Sequence, residues 1–130
     1  MTFSDIKFID NSAALENPNS YILIAVDLNK VITSWKSSLF SFEWLDKAGN
    51  IRPPEQLSDD ERAKHTTIIQ SIANNTPLER PILGIGMLDN IEIGSRRDVL
   101  LTSYLCGLKT MDVHVKTVNQ NEFAPFLTEK

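Results

Sequence analysis

Glu92, Gly94, Ser95, Arg96, Arg97 and Asp98 form one short run, where the alternation Ile91-Glu92-Ile93 gives way to the helical spacing of Val99, Leu100, Ser103 and Tyr104. A strand turning into a helix there presents the free N–H groups of the first helical turn and the positive end of the helix dipole. Two guanidinium forks beside that start suit a phosphate. Gly94 permits close approach of a ligand to the backbone, and Ser95 either caps the helix or donates to the anion. Glu92 points to the side opposite Ile91 and Ile93 and is a candidate metal ligand or general base. Asp98, in the first helical turn, is the second candidate catalytic carboxylate, although its charge also favours the dipole without any catalysis. The same residues admit a structural reading, in which Gly94 makes a turn, Ser95 caps the helix and the arginines are solvated or paired with Asp98 or Glu92.

Other chemistries find less support. A Walker loop needs GxxxxGK followed by Ser or Thr, which is absent, and Gly84-Ile85-Gly86 lacks both the third glycine and the following helix of a dinucleotide fingerprint. No His/Cys/Asp cluster has metal-ligand spacing, and His65 and His114 read as incidental. Cys106 is the only cysteine, at the end of an apolar helical stripe, so it reads as a small buried hydrophobe. A net charge of −4 and a pI near 5.1 argue against broad nucleic-acid binding, which needs a basic face. The longest apolar run, Tyr21 to Val26, is too short to span a bilayer, so a soluble, cytosolic protein without membrane contact is expected.

The elements that must position these residues follow from spacing. A chain of 130 residues with 42% apolar content predicts one domain over 1–130. TFSDIKFI alternates weakly, as a short edge strand, and Tyr21 to Val26 reads as a buried central strand. Asp27 is an N-cap for a helix over Leu28 to Trp35. Phe40, Phe42 and Trp44 alternate before the turn Asp46 to Asn50, giving a hairpin or an aromatic loop that is either core or, with Trp35, a face for stacking a base.

Ser58-Asp-Asp-Glu61 is a capping-box pattern and predicts a surface helix to about Ala73, with Ala63, Ile68, Ile69 and Ile72 as a narrow stripe. Pro81 to Gly86 and Ile91 to Ile93 are strands around a turn at Leu88 to Asn90. Gly107 ends the next helix as a left-handed C′ residue. Met111, Val113 and Val115 mark a last strand, and Asn119 to Leu127 a closing helix with Phe123, Phe126 and Leu127 inward. The order predicts an α+β or α/β fold with a mixed sheet flanked by helices.

From Pro81 to Lys116 the chain resembles the ParB-type domains that share a fold with sulfiredoxin. Partition proteins of that group carry a strand and turn, a second strand, a Gly-x-Arg-Arg helix start, a Gly-Leu step and a strand of the Val-Pro-Val-x-Val type. Gly94-Ser95-Arg96-Arg97 matches the helix start, Gly107-Leu108-Lys109-Thr110 the step, and Met111-Asp112-Val113-His114-Val115 the strand. The helix from Gly94 to Gly107 is longer than in partition proteins and suits the nuclease-like relatives with Gly-x-Gly-Arg-His-Arg. In that register Arg96 replaces a glycine, Arg97 keeps the first arginine, and Asp98 and Val99 replace the histidine and second arginine. Both registers remain open.

The resemblance implies a ParB/sulfiredoxin-like domain that binds a nucleoside triphosphate, with Mg2+, through phosphates held at Gly94, Ser95, Arg96 and Arg97. Some members of the group hydrolyse nucleotides or cut DNA. Ser95 or Arg97 stands where sulfiredoxin has its nucleophilic cysteine, so sulfinic-acid reduction is not expected. The chain lacks the length for the DNA-binding and dimerisation domains of partition proteins. The alternative implied is a plasmid- or phage-encoded interaction protein of the fertility-inhibition type, which keeps the fold and acts on a protein partner.

Overall fold

Asp27 caps its helix as its side chain requires. In the computed structural model, which describes residues 6–38, 41 and 44–128, Asp27 Oδ1 accepts the Lys30 N–H at 3.1 Å, and α2 runs Leu28–Trp35. Leu28, Val31, Ile32 and Trp35 are all buried along one stripe. Before it lie β1 (Phe8–Ile9), the short helix α1 (Ser12–Glu16) and β2 (Tyr21–Asp27). After it come a 3-10 turn at Pro54–Gln56, α3 (Asp59–Ala73), β3 (Leu78–Glu79), β4 (Ile82–Ile85), β5 (Ile91–Ser95), α4 (Arg97–Leu105), β6 (Thr110–Lys116) and a 3-10 segment Thr117–Phe126.

The fold is α+β. A mixed four-stranded sheet has the order β2-β6-β4-β5, and β1 pairs with β3 in a separate two-stranded parallel sheet. β6 is antiparallel to β2 over seven consecutive pairs, from Tyr21 opposite Lys116 to Asp27 opposite Thr110, and parallel to β4. β4 and β5 form an antiparallel hairpin. The apolar run Tyr21 to Val26, expected at the centre of the sheet, is therefore an edge strand. Leu23 on its outer face is 43% exposed, and the central place belongs to β6, where Met111, Val113 and Val115 are buried.

One face of the sheet carries the core. Val26, Leu83, Ile91, Met111, Val113 and Val115 meet α2, α4 and Phe123 of the last 3-10 segment. Trp35 and Trp44 are fully buried in the same cluster, and truncating either to alanine should cost about 3–5 kcal/mol. Of the two readings of these aromatics, core holds at both tryptophans, while Phe40 and Phe42 lie outside the described residues. A second cluster, Ile68, Ile72, Leu78 and Val99, joins α3 to α4 and the small sheet.

The ends of α3 and α4 obey their local chemistry. Ser58 Oγ accepts the Glu61 N–H at 3.3 Å at the start of α3, while Ala63, expected in its stripe, is exposed. Beyond α4, Cys106 is the C-cap and Gly107 follows at φ 98°, with Gly107 N donating to the Tyr104 carbonyl and Leu108 N to that of Ser103. This is a Schellman motif, and its left-handed residue favours glycine. The closing segment is 3-10 rather than α-helical and carries Pro125 next to its last residue, and Leu127 turns outward while Phe123 packs inward.

Candidate functional site

β5 runs two residues beyond the alternation that defines it, through Gly94 and Ser95, because Ser95 still pairs with Ile82 on β4. Ser95 is consequently not the helix cap. Its Oγ accepts from Asn11 Nδ2 at 3.0 Å. The cap position falls to Arg96, whose backbone is left-handed at φ 57°, ψ 45° and which makes no side-chain cap hydrogen bond. That reversal aims the N-terminus of α4 into a cleft of about 310 Å³ lined by Glu61, Lys64 and the residues from Ile93 to Asp98.

Among the described residues three cations and two carboxylates line the cleft, so this lining carries one net positive charge before the helix dipole is added. Arg97 Nη2 lies 3.0 Å from Glu61 Oε1, and Lys64 Nζ lies 3.8 Å from the same oxygen. Arg96 Nη2 is 3.7 Å from Asp98 Oδ2, too long for a hydrogen bond, and Arg96 Nε is buried without a hydrogen-bond partner. Asp98 Oδ1 accepts the Val99 N–H at 2.9 Å. Gly94 is exposed on the cleft wall, and a Cβ there would meet only the Ile82 carbonyl oxygen, at an ordinary 3.6 Å. Internal packing therefore does not demand a glycine, whereas an incoming ligand gains bare backbone from it.

Of the six residues singled out in the sequence, Gly94, Ser95, Arg96, Arg97 and Asp98 share this cleft. Glu92 does not line it. Its carboxylate accepts from Ser38 Oγ and Asn90 Nδ2 and borders a different pocket, at the β4–β5 turn. Sequence reasoning missed Glu61 and Lys64. The capping-box pattern assigns Glu61 to the backbone of its own helix, yet its side chain turns inward to Arg97 instead. The signal available was the spacing of Glu61, Ile68 and Ile72, which share the buried face of α3.

His114, expected to be incidental, is buried, because Asn11 folds over the sheet there. The Asn11 backbone N–H donates to His114 Nε2 at 3.0 Å, while Asn11 Nδ2 reaches both Ser95 Oγ and the Arg80 carbonyl. Burial pushes the His114 pKa below its ordinary 6.5; Asp10 raises it and Arg80 lowers it further. His65 Nδ1 lies 3.2 Å from Thr102 Oγ1 at the α3–α4 contact, and burial lowers its pKa too. Cys106 is half-buried rather than fully buried, and desolvation pushes its thiol up, away from thiolate reactivity.

Among the described residues no group of three or more His, Cys, Asp or Glu side chains could hold a metal ion, and no helix is long and apolar enough to cross a membrane. No protein family, curated protein or solved structure matches the chain.

Proposed function

We propose that this chain is a small phosphate-binding domain of the ParB/sulfiredoxin-like type, which takes the phosphates of a nucleotide at the start of α4. The observation that carries the reading is Arg96: a left-handed non-glycine residue at the helix N-terminus, whose guanidinium Nε is buried without a partner in a cleft shared with Arg97 and Lys64. A strained backbone and an unpaired donor both cost stability, and a bound anion would offset the second. The order β4, β5, α4, β6, with β6 parallel to β4, supports the fold assignment alongside the Gly94 to Arg97 and Gly107 to Val115 resemblance.

Binding is favoured over hydrolysis. Glu61 is engaged with Arg97, Glu92 lies in another pocket, and Asp98 spends one oxygen on the Val99 N–H, which leaves the cleft no pair of free carboxylates for a metal-assisted hydrolysis. These residues fit a phosphate better than a protein-held magnesium ion. A nucleoside triphosphate would place its negative charge between Arg96, Arg97 and Lys64, with the N–H groups of the first turn of α4 beneath it.

Calorimetry with CTP, ATP and GTP, with and without magnesium, tests this on the wild type and on the Arg96→Ala/Arg97→Ala variant. Saturable binding by the wild type that the variant loses is the expected result. No heat from the wild type with any of the three would remove the proposal.

A further inference from the structure

Glu92 is held with more care than an exposed strand glutamate needs. Ser38 Oγ donates to its Oε1, and Asn90 Nδ2 donates to its Oε2 at 3.0 Å while also bonding the Ile91 carbonyl at 2.9 Å. Among the described residues no Lys, Arg or His pairs with this carboxylate, so its charge is supported by neutral donors alone. Asn90 is 5% exposed, and the two bonds from its Nδ2 fix the amide so that Oδ1 faces away from them. That oxygen receives no hydrogen bond from the described residues.

The two groups converge over Gly86. A Cβ there would stand 2.9 Å from Glu92 Oε2, closer than side-chain carbons approach, and a tight 3.0 Å from Asn90 Oδ1, so both oxygens pack directly against the glycine. A larger residue there would push the Glu92 carboxylate out of this arrangement. The result with glycine is a carboxylate and an amide oxygen facing a cavity of about 410 Å³, whose rim carries the exposed side chains of Met87 and Leu88. An acceptor pair with one negative charge suits the fork of a guanidinium, and exposed apolar side chains beside it suit aliphatic neighbours.

We infer that this cavity, at the β4–β5 turn, is a docking site for an arginine flanked by aliphatic residues on a basic partner protein. The chain's net charge of −4 favours approach of such a partner. Met87 and Leu88 at the tip of the turn extend the contact past the cavity and so favour a protein over a small amine. The inference is independent of the phosphate site.

The test is an amide NMR titration of the full chain with acetyl-Leu-Arg-Leu-amide and with the same peptide carrying citrulline, the uncharged analogue of arginine. The arginine peptide should give saturable shifts centred on Gly86, Asn90 and Glu92, and citrulline should bind about ten-fold more weakly. Glu92→Gln, which keeps the shape, should remove that preference, and Gly86→Ala should weaken binding by displacing the Glu92 carboxylate. A parallel phosphate titration read at Gly94 should be unchanged in Glu92→Gln, which separates the two sites. Equal affinity for both peptides, an unaltered preference in Glu92→Gln, or no saturable shift at millimolar peptide would overturn the inference.

Discussion

Arg97 Nη2 and Glu61 Oε1 are 3.0 Å apart across the α3–α4 contact, and the glutamate side chain is only 7% exposed. A buried carboxylate thus sits on one of the guanidinium groups offered to the ligand. It orders Arg97 and also subtracts charge from the cleft.

Glu61→Gln keeps the side-chain shape and removes that competing charge. Phosphate affinity should rise about three- to ten-fold, the interaction being partly screened because Arg97 is 29% exposed. Stability should fall by about 1–2 kcal/mol from the weakened bond. Calorimetry with inorganic phosphate and urea unfolding measure the two effects; a loss of affinity would mean that ordering Arg97 outweighs the charge.

Arg96→Gly should separate stability from binding in the opposite sense. Relief of the left-handed backbone at φ 57° is expected to stabilise the chain by up to about 1 kcal/mol. Loss of the guanidinium should weaken nucleotide binding about five-fold or more. A variant that melts lower and binds normally would contradict both halves.

Gly107→Ala places a Cβ at φ 98° in the Schellman turn and should cost about 1–2 kcal/mol. Because the turn lies at the far end of α4 from Arg97, nucleotide affinity measured well below the unfolding transition should not change.

Stability should fall as pH drops below 6.5. His114 and His65 both have pKa values lowered from 6.5 in the folded chain, so the unfolded chain binds more protons below that pH. The contribution is complete above 6.5 and is lost as pH falls through it toward the depressed folded values. His114→Gln retains an acceptor for the Asn11 N–H but not the titration. Urea midpoints at about pH 7.5 and about pH 5.5 should therefore differ less in this variant, with the His65 share remaining.

Where a signal was carried by a few adjacent residues, the sequence was readable. Asp27, Ser58 and Gly107 each act on backbone groups within one turn of themselves, and the helix ends they mark lie where their side chains or φ require. The places that misled are settled by distant partners. Tyr21 to Val26 has the composition of an inner strand, but its neighbour is Thr110–Lys116 on one side only, apart from a bridge between Val26 and Leu127. Ser95 has a capping side chain, but Ile82 and Asn11 engage it first. His114 looks exposed by alternation, and it is Asn11 that covers it. In the candidate site the arginines were legible, whereas Glu61 and Lys64 reach the cleft only through the packing of α3 on α4.

The central position of β6 has a consequence for how the chain is made. Until residues 110–116 leave the ribosome, β2 has no ladder and the β4–β5 hairpin has no second neighbour, so the nascent chain holds two unjoined pieces of sheet. The apolar strand Tyr21–Asp27 must wait through most of synthesis before one late segment joins it to Ile82–Ile85 of the hairpin. Closure of the four-stranded sheet therefore waits for β6, the one segment that touches both pieces.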